Sequence, residues 1–197
     1  VVDKRGWDER EAEYLRISGR YTKEQLGRFG EAWSHVVVEM EREPSDILGR
    51  LYMELEISDA NLGQFYTPYD VAKLMAGMNV GHLTEALEGR EFVTVYEPAC
   101  GAGAFMVAIT QQLREQGINY QQRLHVTAED LSATAVHMCY LHMTLLHVPA
   151  VIYRRNTLTM ETFDTWVTPA HVLGGWAHRI RQEIALASAT DLLAEVA

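Results

Sequence analysis

Tyr96-Glu97-Pro98-Ala99-Cys100-Gly101-Ala102-Gly103-Ala104-Phe105 (YEPACGAGAF) is the stretch on which the fold turns. It ends the run Phe92–Tyr96 (FVTVY), whose β-branched and aromatic residues predict a buried strand. It leads into Ala104–Glu115, where Met106, Ile109 and Leu113 recur on one side of a predicted helix. A strand that ends in an acid, passes two glycines and enters a helix brings backbone N–H groups close to whatever lies at the helix N-terminus. The spacing is G-x-G, without the third glycine of the dinucleotide fingerprint. Alone, the turn fits a structural role as well as a ligand site.

The flanking sequence extends the pattern. His125–Ala128 predicts a second strand, ending in Glu129-Asp130. Ser132 is placed to cap a helix whose Ala135, Met138, Cys139, His142 and Leu146 share a face, and Ala150–Tyr153 predicts a third strand. Strand–helix–strand–helix–strand implies an α/β fold with a parallel sheet and right-handed crossovers. Glu97 and Asp130 then close the first two strands on the edge where such sheets bind ligands, and a carboxylate at the second strand end suits ribose hydroxyls. A further strand is expected around Thr165–Val167, then a break at Gly174-Gly175 and a closing helix over Ala177–Val196. So few strands make an incomplete sheet, or one completed by another chain.

The first third reads as helix. Leu48, Leu51, Tyr52 and Leu55 fall at i, i+3, i+4 and i+7, with Ser45 as the expected N-cap. Leu26, Phe29, Trp33, Val37 and Met40 keep a similar rhythm upstream, and Val71, Leu74, Met75 and Met78 mark the apolar face of a helix opened by Pro68. The expected division is a helical N-terminal region over 1–62, a ligand-binding α/β domain over 63–176 and a C-terminal helix over 177–197.

Composition narrows the classes. The 197 residues are 48% hydrophobic and 22% charged, the make-up of an ordinary globular protein, with no run long enough to span a membrane. VVDKRGWDER has no signal-peptide shape and no initiator Met, which reads as a trimmed chain. With two cysteines and no such signal, a cytoplasmic setting is expected. The net charge of −10 gives no general attraction to a phosphate backbone, so any nucleic acid must be held by a local basic patch or a partner subunit.

Glu97-Pro98-Ala99-Cys100-Gly101-Ala102-Gly103-Ala104-Phe105 resembles the cofactor loop D-P-A-C-G-S-G-x-F of S-adenosylmethionine-dependent DNA adenine amino-methyltransferases, above all the modification subunits of type I restriction systems. Gly63-Gln64-Phe65-Tyr66-Thr67-Pro68 resembles their G-x-[FY]-Y-T-P segment, in the same order along the chain. The resemblance implies a Rossmann-like methyltransferase sheet that holds S-adenosylmethionine through Phe65, Tyr66, Thr67, Glu97, Pro98, Ala99, Gly101 and Gly103, with Tyr66 and Thr67 at the methionine end, Glu97 facing the methionine amino group or structured water, and Asp130 on the ribose. Arg155-Asn156-Thr157-Leu158 resembles the family's G-D-[ST]-L, with Asn156 in place of the aspartate that contacts adenine. The resemblance also implies methyl transfer to the exocyclic amine of a flipped adenine in DNA, in a restriction-modification setting with a specificity subunit as partner.

The family's amine-binding tetrapeptide [DNS]-P-P-[FYW] does not occur in this sequence. Thr168-Pro169, following Phe163-Asp164, stands as the candidate amine site, with Trp166 or His171 to stack on the base. The rival reading is a catalytically silent cofactor-binding or scaffold subunit. A Rossmann oxidoreductase is disfavoured by the missing third glycine. No metal site is expected, since His137, His142 and His147 are five apart and share no helical face. Cys100 reads as packing. Tyr14, Tyr21, Phe29 and Trp33 read as core or interface rather than a base-stacking platform.

Overall fold

The computed structural model describes residues 6–55 and 66–196, with side chains described through Leu186. The helices are α1 (Trp7–Ser18), α2 (Lys23–Arg42), α3 (Ile47–Glu54), α4 (Tyr69–Glu88), α5 (Ala104–Glu115), α6 (Tyr120–Arg123), α7 (Ala133–Leu145), α8 (Pro169–Leu173) and α9 (Trp176–Val196). The strands are β1 (Val93–Glu97), β2 (Leu124–Asp130), β3 (Ala150–Asn156) and β4 (Glu161–Val167).

The sheet order is β1-β2-β3-β4. The first three strands run parallel, in register Val95↔Val126 and Val126↔Ala150, as the alternation in the sequence predicts. Both crossovers step in the same direction, so right-handed connections put α5 and α7 on one face. Val93, Val95, Val126, Ala128, Ala150 and Ile152 supply that face and join the core with Met106, Ile109, Leu113, Cys139 and Met143. The fourth strand is longer than expected and antiparallel, pairing Ile152↔Trp166 and shifting register between Arg154 and Arg155. α1 touches it through the Arg10 side chain. Arg10 bonds Asp164 at 3.1 Å and the Thr165 carbonyl at 2.9 Å, and stacks 3.9 Å over the Trp166 ring.

On the opposite face, α8 and α9 close the end where the parallel strands begin. There Trp176, fully buried, meets Phe92 edge-on, and His125 of β2 lies 2.9 Å from His171 of α8. Burial, then the neighbouring His171 charge, push the His125 pKa down to about 3.

Three expectations about helix faces are corrected. On α4 the buried residues are Ala72, Ala76, Val80 and Leu87, whereas Val71, Leu74, Met75 and Met78 are 41–72% exposed. Small alanines let α4 lie close on α5, and the bulkier stripe is turned away. On α3 the N-cap is Asp46, not Ser45, and the buried positions are Ile47 and Gly49; Leu51 and Leu55 are exposed. On α2 only Met40 is buried among the described residues, and Tyr14, Tyr21, Phe29 and Trp33 are all surface residues.

Candidate functional site

Where β1 and β2 end, the chain builds a cavity of about 310 Å³ lined by Asp46, Tyr66, Thr67, Met75, Glu97, Ala99, Cys100, Gly101, Ala102, Ala104, Phe105, Met106 and Asp130. The glycine loop is its floor. Gly101 has φ +52°, a left-handed conformation that glycine adopts without strain. A Cβ there would lie 2.8 Å from Cδ1 of Tyr66, so the tyrosine ring rests directly on the loop. Replacing Gly101 with alanine therefore forces both a strained backbone and a displaced ring. The expected outcome is a loss of about 1–3 kcal/mol in stability, read by urea denaturation, together with loss of ligand binding at the cavity.

Gly103 has a different task. At φ +91°, its missing Cβ makes room for Cys139, whose Sγ would be 3.1 Å away. This glycine seats the loop on α7, and it does not line the cavity. Nor does Pro98, whose carbonyl instead lies 2.9 Å from the Thr157 hydroxyl.

The acids divide their work. Asp130 lines the cavity but is a brace, accepting from the Gly101 N–H (3.0 Å) and the Ser132 N–H (2.8 Å). Glu97 accepts from the Ala99 N–H at 3.1 Å with one oxygen. Glu129, beside Asp130, is buried and ion-paired to Arg155 at 2.6 Å, with the Thr157 hydroxyl at 3.2 Å. Since that hydroxyl also faces Pro98, the pair props the loop from the β3 side. Asn156 stands away from the cavity lining, and its Oδ1 is taken by the Leu158 and Thr159 N–H groups. That leaves its amide nitrogen to donate, where an aspartate would accept.

Phe65 falls outside the described residues. Tyr66 and Thr67 line the cavity as the sequence predicts. The Tyr66 hydroxyl is buried with no hydrogen-bond partner among the described residues, and burial raises its pKa. An orphan hydroxyl beside a cavity is an unmet demand for a ligand atom.

Thr168 and Pro169, the expected amine site, do not line the cavity. Thr168 follows Val167, which pairs with Val151 near the start of β3, whereas the cavity lies at the strand ends. Asp130 at the cavity is level with Arg154, three residues beyond Val151, so at roughly 3.3 Å per strand residue Val167 lies about 10 Å back along the sheet, and Thr168 further still. The Thr168 hydroxyl is spent, accepting from the Ala150 N–H (2.8 Å), donating to the Val148 carbonyl (2.8 Å) and capping α8.

Sequence reading missed one group. Asp46 lines the cavity from α3 and is only 4% exposed. A polar residue directly before an apolar helical run was the available signal. The N-terminus of α5, to which the glycine loop pointed, has no side-chain cap from Gly103, and Ala104, Phe105 and Met106 line the cavity. First-turn N–H groups without a cap suit a carboxylate or other anion. Among the described residues no cluster able to hold a metal ion occurs, and no helix is long and apolar enough to cross a membrane.

Residues 44–174 match the sequence profile of a family described as N-6 DNA Methylase, a match that begins ahead of the 62/63 boundary expected above. A curated relative, the type I restriction enzyme MjaIX methylase subunit of Methanocaldococcus jannaschii, is 24% identical over 118 residues, covering 57% of this chain and 19% of that protein. The chain thus spans about a fifth of that relative's length. Among solved structures, a type I restriction enzyme modification subunit from Vibrio vulnificus aligns at TM-score 0.42 and 24% identity, over 62% of this chain and 25% of the other. A type I restriction-modification methyltransferase subunit from Streptococcus thermophilus aligns at TM-score 0.37 and 26% identity, over 59% and 24%.

Proposed function

Because the chain belongs to the N-6 DNA methylase family, we propose that its cavity holds S-adenosylmethionine and that it serves methyl transfer to the exocyclic amine of adenine in DNA. The observation that carries this reading is the Gly101–Tyr66 cradle at the ends of β1 and β2, which only a glycine at φ +52° permits.

The residues present fit the cofactor. The cavity volume lies at the small end of the range for ligand sites. Among the described residues its lining carries carboxylates and no lysine or arginine, which suits a ligand with a sulfonium and an ammonium group. The uncapped first turn of α5 would take the methionine carboxylate, and Tyr66 would give or accept a hydrogen bond through its orphan hydroxyl. Glu97, Thr67, Ala99 and Gly101 would shape the methionine end. When bound, the cofactor supplies an electrophilic methyl group. The chain's part is to fix its orientation and keep water out. Asp130 would act by bracing the loop, with its unused lone pairs toward the ribose, and Asn156 would donate from the third strand end.

With a net charge of −10, the chain is read as relying on a partner specificity subunit for DNA. The reading is of a restriction-modification assembly, in the reducing cytoplasm that its two free cysteines suit. β1 has a hydrogen-bonded neighbour on one side only among the described residues, so a further strand from a partner or a second copy would complete the sheet there. Residues 63–176 are taken as the cofactor unit, flanked by helical segments over 1–62 and 177–197.

The test is calorimetric binding of S-adenosylmethionine, followed by radiolabelled methyl transfer to adenine-containing DNA with and without a DNA-recognising partner subunit. Micromolar-range binding is expected, with transfer only when the partner is present. Binding without transfer in either case would favour the silent scaffold reading.

A further inference from the structure

The Asp46 carboxylate poses an electrostatic problem that the fold itself leaves open. It sits at the N-cap of α3, 4% exposed, accepting from the Gly49 N–H at 2.9 Å and facing the cavity. A carboxylate this buried ordinarily has a cation beside it. The nearest titratable partner is His142, with Nδ1 3.8 Å from Asp46 Oδ1. That ring is fully buried and spoken for on both sides.

The Leu48 N–H can only donate, so His142 Nε2, 3.3 Å away, must accept. The proton is therefore on Nδ1, where it is donated to the Ala102 carbonyl at 2.8 Å. His142 is neutral and supplies no charge. Arg50 lies a turn away with its side chain in solvent, and among the described residues no lysine or arginine lines the cavity. Burial accordingly raises the Asp46 pKa above the usual carboxylate range.

Resting on the cofactor reading above, we propose that Asp46 is the counter-charge for the α-ammonium group at the methionine end of the cofactor. The helical region ahead of the sheet thereby contributes a binding residue to the site. An ammonium is chosen over a sulfonium because a carboxylate with unused lone pairs needs N–H donors, and a sulfonium has none. His142 is the positioning residue. It joins α3 at Leu48 to the cofactor loop at Ala102, and so fixes the carboxylate relative to the floor of the cavity.

Asp46→Asn tests this with little disturbance, because asparagine caps helices as well as aspartate and keeps an oxygen for the Gly49 N–H. Calorimetry on the full chain compares S-adenosylmethionine, S-adenosylhomocysteine and methylthioadenosine; the last keeps the adenosine and sulfur but has no ammonium. Affinity for the first two is expected to fall about 10-fold or more, and affinity for methylthioadenosine to stay within about twofold. The melting temperature of the ligand-free variant should equal or exceed that of the parent, since a penalised charge is gone. An equal loss for all three ligands would make Asp46 a structural residue and overturn the proposal, as would no loss for any. If the unmutated chain binds none of the three, the cofactor reading itself falls and takes this proposal with it. If it binds all three and Asp46→Asn does too, only this proposal falls.

Discussion

Acidification from about pH 6.5 to about pH 3.5 is expected to cost the fold about 4 kcal/mol through His125 alone. The folded pKa of His125 is pushed down to about 3, well below the 6.5 of a free imidazole. Between those values the unfolded chain takes up a proton that the native state refuses. Stability is then complete above the unfolded pKa and falls as the pH drops, at about 1.4 kcal/mol per unit. Desolvation beneath Trp176 is the larger cause and the adjacent His171 the second. The pKa values of His171 and His142 are lowered in the same sense and steepen the fall, while the raised pKa of Asp46 works against it. Urea midpoints measured across this range should drop steeply for the parent chain, and much less for His125→Phe, which keeps a ring against Trp176 and cannot titrate. Parallel pH profiles for the two proteins would show that the histidine pair is not the acid-sensitive element.

Thr168→Val separates the structural role of this residue from a catalytic one. Valine keeps the shape but strips the cap from α8 and leaves the buried Ala150 N–H without its side-chain acceptor. Losing a cap costs about 1 kcal/mol and an unsatisfied buried donor about 1–3 kcal/mol, so a total of about 2–4 kcal/mol is expected in urea denaturation. S-adenosylmethionine affinity, measured by calorimetry below the unfolding transition, should not change. The opposite pattern, with stability intact and methyl transfer abolished, would restore Thr168 to the amine-handling role that the sequence suggested.

The contrast at Thr168 explains what could and could not be read in advance. The parallel β1-β2-β3 core and the cavity at Glu97, Gly101 and Asp130 were legible because they rest on local signals: β-branched runs, glycines at a strand end, and an acid closing each strand. Helix α5 falls on Ala104–Glu115 as predicted. Which end of the sheet Thr168 reaches depends on the direction of β4, and strand direction leaves no mark in a seven-residue segment. The α4 stripe misled for a related reason. Periodicity marks the faces of a helix, but the choice between a bulky face and a small one is made by how closely the partner approaches, and Ala72 and Ala76 allowed α5 the closer contact. Asp46 and His142 were illegible as a pair, because nothing local connects a helix cap to a histidine in the middle of another helix.

That connection has a consequence during synthesis. The Leu48–His142 hydrogen bond closes a sequence separation of 94 residues, and the Arg10–Asp164 pair one of 154. At about 5–20 residues per second, the segment bearing Leu48 waits roughly 5–20 s on the ribosome before its partner exists. On α1 and α2, Tyr14, Phe29 and Trp33 stay exposed even in the folded chain, with Phe29 edge-on against Tyr21. Helices α1 and α3 are thus tied down by partners that are translated well after them.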